Sequence, residues 1–311
     1  MKKLLYFIFI LLGMKAIQAQ EPLMKFYFQD GSAKSYKISD IDEMNFTKSN
    51  TFSYMTIFRN NDTTKLIYDT ELIEKLDFGF VTEGLMLRIN YNGKNSNYYS
   101  GDIDSITFIE YEPNELETVT VCDQVWMTKN LDVSHYRNGE PIRFVSNYDE
   151  WIDARKKKEG AWCYYNDDPA YGATYGKLYN WYAVNDPRGL APEGWHVPSK
   201  EEWKTLEMCL GDSTVAGGKL KSTGTIEDGT GLWKSPNADA TNESGFSALP
   251  GGLRNYAYGI FQGIGEGGIW WSTSELYDKE SWNWSLSTYH KVFLKSFSYK
   301  EYHFSVRCVK D

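Results

Sequence analysis

Gly263, Gly265 and Gly268 stand at the G-x-G-x-x-G spacing with which a backbone loop cradles a pyrophosphate. That chemistry needs the glycines between a strand and a helix. Here the strand-like apolar run Ile269-Trp270-Trp271 follows, and the segment reads as a glycine-rich turn. The chain holds no P-loop, no H-E-x-x-H zinc pair and no G-x-S-x-G nucleophile elbow. No residues remain at catalytic spacing, so the expectation is a protein that is not an enzyme.

Oxygen ligands gather in two places, Asn166-Asp167-Asp168 and the run Asn237, Asp239, Asn242, Glu243. Hard cations take such ligands, and Ca2+ is the ion these loops would suit. The spacing is not that of an EF-hand, and turn and cap formation by Asn and Asp is the competing and favoured reading. No cofactor beyond that ion is suggested. His135, His196, His290 and His303 are scattered and no C-x-x-C occurs, which leaves a structural zinc site without support.

Binding chemistry has a better candidate near the end of the chain. Trp282-Asn283-Trp284-Ser285-Leu286-Ser287 alternates large apolar with small polar residues, as a half-buried strand does. With Trp282, Trp284 and Leu286 turned to the core, Asn283, Ser285 and Ser287 face outward, with Tyr289, Lys295, Tyr299 and Tyr302 nearby. Rigid tyrosines beside amide and hydroxyl groups suit a sugar or a protein epitope. For each tryptophan taken singly, core packing is the favoured role.

These residues need elements to position them. Ser199 with Glu202 is a capping box, and it predicts a helix that Gly211 ends on the right. Trp203, Leu206 and Leu210 share one face of that helix, so Trp203 points inward. The pairs Gly217-Gly218 and Gly251-Gly252 mark places where the backbone turns sharply or passes close to another segment.

Ahead of these segments the chain repeats itself. MKFYFQDGSAKSYKISDIDEMNF, MTIFRNNDTTKLIYDTELIEKLDF and LRINYNGKNSNYYSGDIDSITF close on Phe46, Phe78 and Phe108. Each predicts a hairpin about Asp30-Gly31, Asn61-Asp62 or Asn92-Gly93, then a short third strand. One such unit cannot bury its apolar face alone, whereas three together can. The acidic stretch from Tyr111 to Glu117, with Pro113, reads as a linker. The domains are then a leader at residues 1–19, a three-repeat β domain at 20–112 and a second domain at 113–311.

The leader reading rests on Lys2 and Lys3, the apolar run Leu4 to Leu12 and the small residue Ala19, a secretory pattern cut before Gln20. The run is too short to span a bilayer, which needs about 20 residues, and no later stretch is longer. The expected address is therefore secreted, periplasmic or outer cell surface, with no integral membrane segment once the leader is removed. The leader holds three lysines and no acid, so its loss takes the net charge from -9 to -12. A chain this acidic repels phosphate backbones, so nucleic acid is not an expected partner.

Taken in order, VCDQVWMTKNLDVSHYRNGEPI, GAWCYYNDDPAYGATYGKLYNWYAV, APEGWHVPSKEEWKTLEMCLG, TNESGFSALPGGLRN, GGIWWSTSE and YHFSVRCVKD resemble the Fibrobacter succinogenes major paralogous domain family over residues 119 to 311. A more distant similarity joins Val197 to Trp203 and Phe304 to Val309 to the C-type lectin-like and formylglycine-generating-enzyme-like folds. The resemblance implies an α+β protein: a C-type lectin-like C-terminal domain with few helices and a last strand near its first, behind the small all-β domain. It implies a surface glycan or an envelope protein as partner, with ligand contact in the C-terminal region. The alternatives are an adhesin-like structural component without a pocket and, more remotely, an oxidase of the formylglycine-generating type, for which no matching cysteine pair is present. Export allows disulfides to persist among Cys122, Cys163, Cys209 and Cys308. The lectin-like helix-to-last-strand bridge implies Cys209 for Cys308; adjacent first and last strands imply Cys122 instead.

Overall fold

The computed structural model describes residues 116–311 in full and, ahead of them, the backbone of a set of strands. Contacts divide the chain into two compact units, Met1–Asn114 and Glu115–Asp311. In the first unit these strands are β1 (Leu5–Tyr6), β2 (Leu23–Phe28), β3 (Ala33–Lys37), β4 (Phe52–Arg59), β5 (Lys65–Asp69), β6 (Ile73–Val81), β7 (Gly84–Tyr91), β8 (Lys94–Tyr99) and β9 (Ile103–Glu110). The pairs β2–β3, β4–β5 and β7–β8 are antiparallel hairpins, one for each repeated segment. The two described closing strands pair beyond their own hairpins. Strand β6 lies against β7 with Phe78 opposite Leu87, and β9 lies against β4 with Phe108 opposite Met55. The three expected turns and the strand expected to end at Phe46 lie outside the described residues. Of the expected leader, only Leu5–Tyr6 is described, paired with β2. No helix among the described residues is long and apolar enough to cross a membrane.

The second unit is mixed α/β, with small, mostly antiparallel sheets and short helices. Its strands are β10 (Thr118–Val121), β11 (Gln124–Met127), β12 (Arg143–Phe144), β13 (Ala161–Cys163), β14 (Leu178–Tyr179), β15 (Trp195–His196), β16 (Gly251–Arg254), β17 (Phe261–Ile264), β18 (Gly267–Tyr277), β19 (Glu280–Ser287), β20 (His290–Tyr299) and β21 (Val309–Lys310). The helices are α1 (Tyr148–Lys157), α2 (Pro169–Tyr175), α3 (Trp181–Val184), α4 (Lys200–Cys209) and α5 (Ala216–Leu220). One sheet runs β10-β11-β21-β15, so the last strand lies beside the opening hairpin, with Trp126 opposite Val309. A second sheet is the meander β18-β19-β20.

Helix α4 starts where the capping box places it. Ser199 Oγ accepts the Glu202 N–H while Glu202 accepts the Ser199 N–H. Its inner face carries Trp203 and Leu206 into a core that also holds Trp126, Trp233, Phe246, Trp270, Trp284 and Phe293. A buried indole N–H usually finds an acceptor, and several in this core do, although that of Trp126 does not. Trp203 donates to Trp271 O at 3.2 Å, Trp233 to Ala248 O at 3.0 Å and Trp270 to Asn130 Oδ1 at 2.9 Å. These tryptophans are structural. A smaller core joins α1 to β13 and β14 through Val145, Trp151, Ala154, Ala161, Cys163 and Leu178.

Glycine at 217 and 218 lets α5 press against the chain. A Cβ on Gly217 would stand 2.5 Å from Lys291 O, and one on Gly218 would stand 2.4 Å from Asp239 O. Gly263 lies in β17, Gly265 in the turn after it and Gly268 in β18, so the glycines join two strands, without the following helix that a nucleotide loop would need.

The disulfide joins Cys122 to Cys209, with their Cα atoms 6.6 Å apart, and Cys308 is not part of it. This corrects both expected partners of Cys308. Cys122 sits in the β10–β11 turn and faces the end of α4, whereas Cys308 precedes β21 at a fully buried position. The last strand does lie beside the first hairpin, but its cysteine points into the core.

Candidate recognition surface

The seven sequence-predicted ligand residues do not form one site. Asn283 is 2% exposed and donates to Ser298 Oγ at 3.0 Å. Its cross-strand neighbour is Trp271, itself buried and packed at a tilt against Phe304 with ring centroids 4.4 Å apart. The centre of the meander is therefore covered on both faces, and the outward position predicted for Asn283 is wrong. Ser285 and Ser287 are half-buried, and Tyr289 is exposed at the β19–β20 turn. Lys295, Tyr299 and Tyr302 lie toward the other end of β20, so Tyr289 is separated from Tyr299 by roughly 30 Å of extended strand.

At that far end a different cluster forms. Tyr299 meets Tyr256 with ring centroids 4.5 Å apart, and Tyr256 meets Tyr302 at 4.9 Å. Tyr302 in turn stacks on the buried Phe304 at 5.1 Å. Arg155 of α1 sits over the Tyr256 ring at 5.6 Å. Tyr182 donates to Glu301 Oε1 at 3.5 Å. Burial first, and then the Glu301 carboxylate, hold the Tyr182 hydroxyl above the ordinary phenol range.

Tyr256 belongs to the loop 255–260 between β16 and β17, which is pinned from beneath. Asn255 Oδ1 accepts the Ala257 N–H at 2.7 Å, and the Asn255 N–H reaches Ile260 O at 2.8 Å. Arg254, 2% exposed, donates to Gly259 O at 3.0 Å and to Val145 O at 3.1 Å. Arg254 and His303 exchange both backbone hydrogen bonds, which ties the loop to Tyr302. Tyr258, 72% exposed, stands at the loop's tip. Sequence reasoning missed Tyr256, Tyr258, Tyr182 and Arg155. The segment Arg254-Asn255-Tyr256-Ala257-Tyr258-Gly259 carried a usable signal, two tyrosines between an Asx-turn residue and a glycine.

The proposed cation ligands also separate. Asp168 caps α2 by accepting the Ala170 N–H at 2.9 Å, and Asp167 lies 3.6 Å from Arg254. Asn237, Asp239 and Asn242 have φ of 43°, 57° and 50°, left-handed positions that Asn and Asp tolerate best. Asn242 bonds Ser247, while Asp239 and Glu243 lie nearest Lys291 and Lys219. The positive charge in this region is a side chain: the Lys221 ammonium donates to Ala238 O, Ser287 O and His290 O at 2.7, 3.1 and 3.3 Å. Among the described residues no three of His, Cys, Asp or Glu converge as a metal site.

Two further groups bear on chemistry. Cys163 and Cys308 are buried, and burial pushes each thiol up to about 12. Ser199, Glu202, His196 and Asp311 gather at the start of α4, but both ring nitrogens of His196 are held by carboxylates, at 2.7 Å each. Neither is left to act as a base toward the serine.

The family model for the Fibrobacter succinogenes major domain matches residues 119–310. No curated protein and no solved structure matches the chain.

Proposed function

The chain belongs to the Fibrobacter succinogenes major domain family across residues 119–310, and from that footing we propose that it is an exported, non-catalytic recognition module that binds a surface glycan on its tyrosine platform. The observation that carries this is the tilted packing of Tyr299 and Tyr302 against Tyr256, whose loop is already fixed by Arg254. Sugar rings present flat C–H faces to aromatic rings, and a platform ordered before binding loses little entropy on doing so. Tyr182, Glu301 and Arg155 add hydroxyl, carboxylate and guanidinium groups at its margin, as hydroxyl-rich ligands require. A non-catalytic role is supported by the buried, protonated thiols and the doubly engaged His196. The lectin-like reading of the fold is supported by the pairing of the last strand with the first hairpin. Export rests on the leader pattern of residues 1–19.

A glycan array probed with the full exported chain tests the reading. Wild-type protein is expected to bind a defined set of glycans, and the Tyr256→Ala/Tyr299→Ala double variant is expected to lose them. Because each partly exposed ring contact contributes about 1 kcal/mol, the double variant stays folded. Absence of glycan binding by the wild type overturns the reading in favour of a structural envelope role.

A further inference from the structure

The tyrosine platform continues along β20. Lys295, Phe297 and Tyr299 alternate on one face of that strand, opposite Trp284, Trp282 and Glu280 of β19. Lys295 Nζ lies 4.2 Å from the Trp282 ring centroid, and Phe297, 49% exposed, meets the same indole edge-on at 6.1 Å. A line of rings thus runs from Trp282 through Phe297 and Tyr299 to Tyr256. It begins at one cation, Lys295, and ends at another, Arg155. From Lys295 to Tyr299 the strand advances about 13 Å.

Both cations lie on this strip of an otherwise acidic protein of net charge -9. Among the described residues neither Lys295 nor Arg155 has a carboxylate within ion-pair distance, although Arg143, Lys157, Arg188, Lys200, Lys204 and Lys234 each do. Instead each is seated on an aromatic ring, where cation–π attraction holds it without neutralising it. Cations kept in place without a direct ion pair can meet an external anion, and Lys295 keeps that capacity although the Glu201 carboxylate lies near enough to feel its charge.

We propose, building on the glycan reading above, that the ligand is an anionic oligosaccharide, bearing carboxylate or sulfate groups, laid along β20. Lys295 and Arg155 take its charges at the two ends, and Phe297, Tyr299 and Tyr256 take the ring faces between them. Glu280, opposite Tyr299, and Glu301, which accepts from Tyr182, stand at the Tyr299 end of the strip and take ligand hydroxyls there, next to the charge that Arg155 takes.

Titration calorimetry with the full exported chain tests this, using a galacturonate hexamer, a sulfated hexasaccharide and an uncharged glucose hexamer as probes. One or both anionic probes are expected to bind roughly tenfold or more tighter than the uncharged one, with affinity falling as salt rises. The two anionic probes separate carboxylate from sulfate as the recognised charge. Lys295→Gln and Arg155→Gln should each lower that affinity several-fold, and Arg155→Lys should restore most of it. Equal affinity for charged and uncharged probes, or Gln variants that bind as wild type does, would overturn the proposal. If those variants are silent while Tyr256→Ala/Tyr299→Ala abolishes binding, the platform reading survives and the anionic one fails. If none of the probes binds and the glycan array is blank, both fall.

Discussion

Asn283 and the two histidines His196 and His303 show how much a side chain's role depends on what covers it. Asn283 looks outward by alternation, yet Trp271 lies beside it under Phe304, and its amide spends a hydrogen bond on Ser298. Replacing Asn283 by alanine is expected to cost about 1–2 kcal/mol, read as a lower Tm, with glycan binding otherwise intact. The histidines respond to acid in opposite senses. Burial lowers the pKa of His196, but hydrogen bonds to Glu202 and Asp311 outweigh it and raise the net value. Its contribution is therefore present below the ordinary histidine value and is lost as pH rises through the raised one. His303 is buried, and burial with the Arg254 charge pushes it down to about 3, against a small opposing effect of the Glu301 backbone. It stays neutral in the fold, so the unfolded chain binds the extra proton and stability falls as pH drops from about 6.5 toward 3. Comparing wild type with His303→Leu between pH 7 and 4 should show the variant gaining on wild type by on the order of 2 kcal/mol as the solution acidifies. Parallel curves would mean that His303 does not carry this proton linkage.

At the scale of elements, local rules were legible and cross-chain contacts were not. The capping box fixed the start of α4, periodicity turned Trp203 and Leu206 inward, and the Gly217-Gly218 pair marked a close approach. Each depends on residues within a turn or two of one another. The proposed recognition surface depends on α1, the loop 255–260 and the end of β20 meeting in space, and no local spacing encodes that. Alternation also misled at β19, because serine and asparagine are small enough to be buried wherever a second layer lies over the sheet. Cysteine pairing failed for a related reason: strand adjacency was read correctly, but which cysteine lay in the turn facing α4 was not. The Cys122–Cys209 bond holds the β10–β11 turn to the end of α4 across a sequence separation of 87. Cys122→Ser/Cys209→Ser is expected to lose about 2–4 kcal/mol, measured by denaturant unfolding without reductant. Reduction of the wild type should lower its stability to the same level, since Cys163 and Cys308 are buried thiols outside the bond.

The whole chain combines a repeat-derived β unit with a unit that carries the family's sequence, and the two are built on different terms. In the first, the two described closing strands pair outside their own hairpins, β6 with β7 and β9 with β4, so the second and third repeats are interlocked. In the second, Arg307 is fully buried and ties the opening hairpin to the loop before β16, donating to Met127 O at 2.8 Å and Phe246 O at 2.7 Å. Its ends meet at Trp126 and Val309, so the unit's first hairpin and last strand close one sheet. A chain organised in this way should part cleanly between them. Limited proteolysis of the full chain is expected to cut between Tyr111 and Val119, the acidic stretch with Pro113, and to release a fragment that unfolds cooperatively on its own. Because both proposed glycan contacts, the tyrosine platform and Lys295, belong to that fragment, it should keep the full chain's affinity for the probes. A first cut inside a repeat, or a released fragment that melts without a transition, would show that the second unit depends on the first.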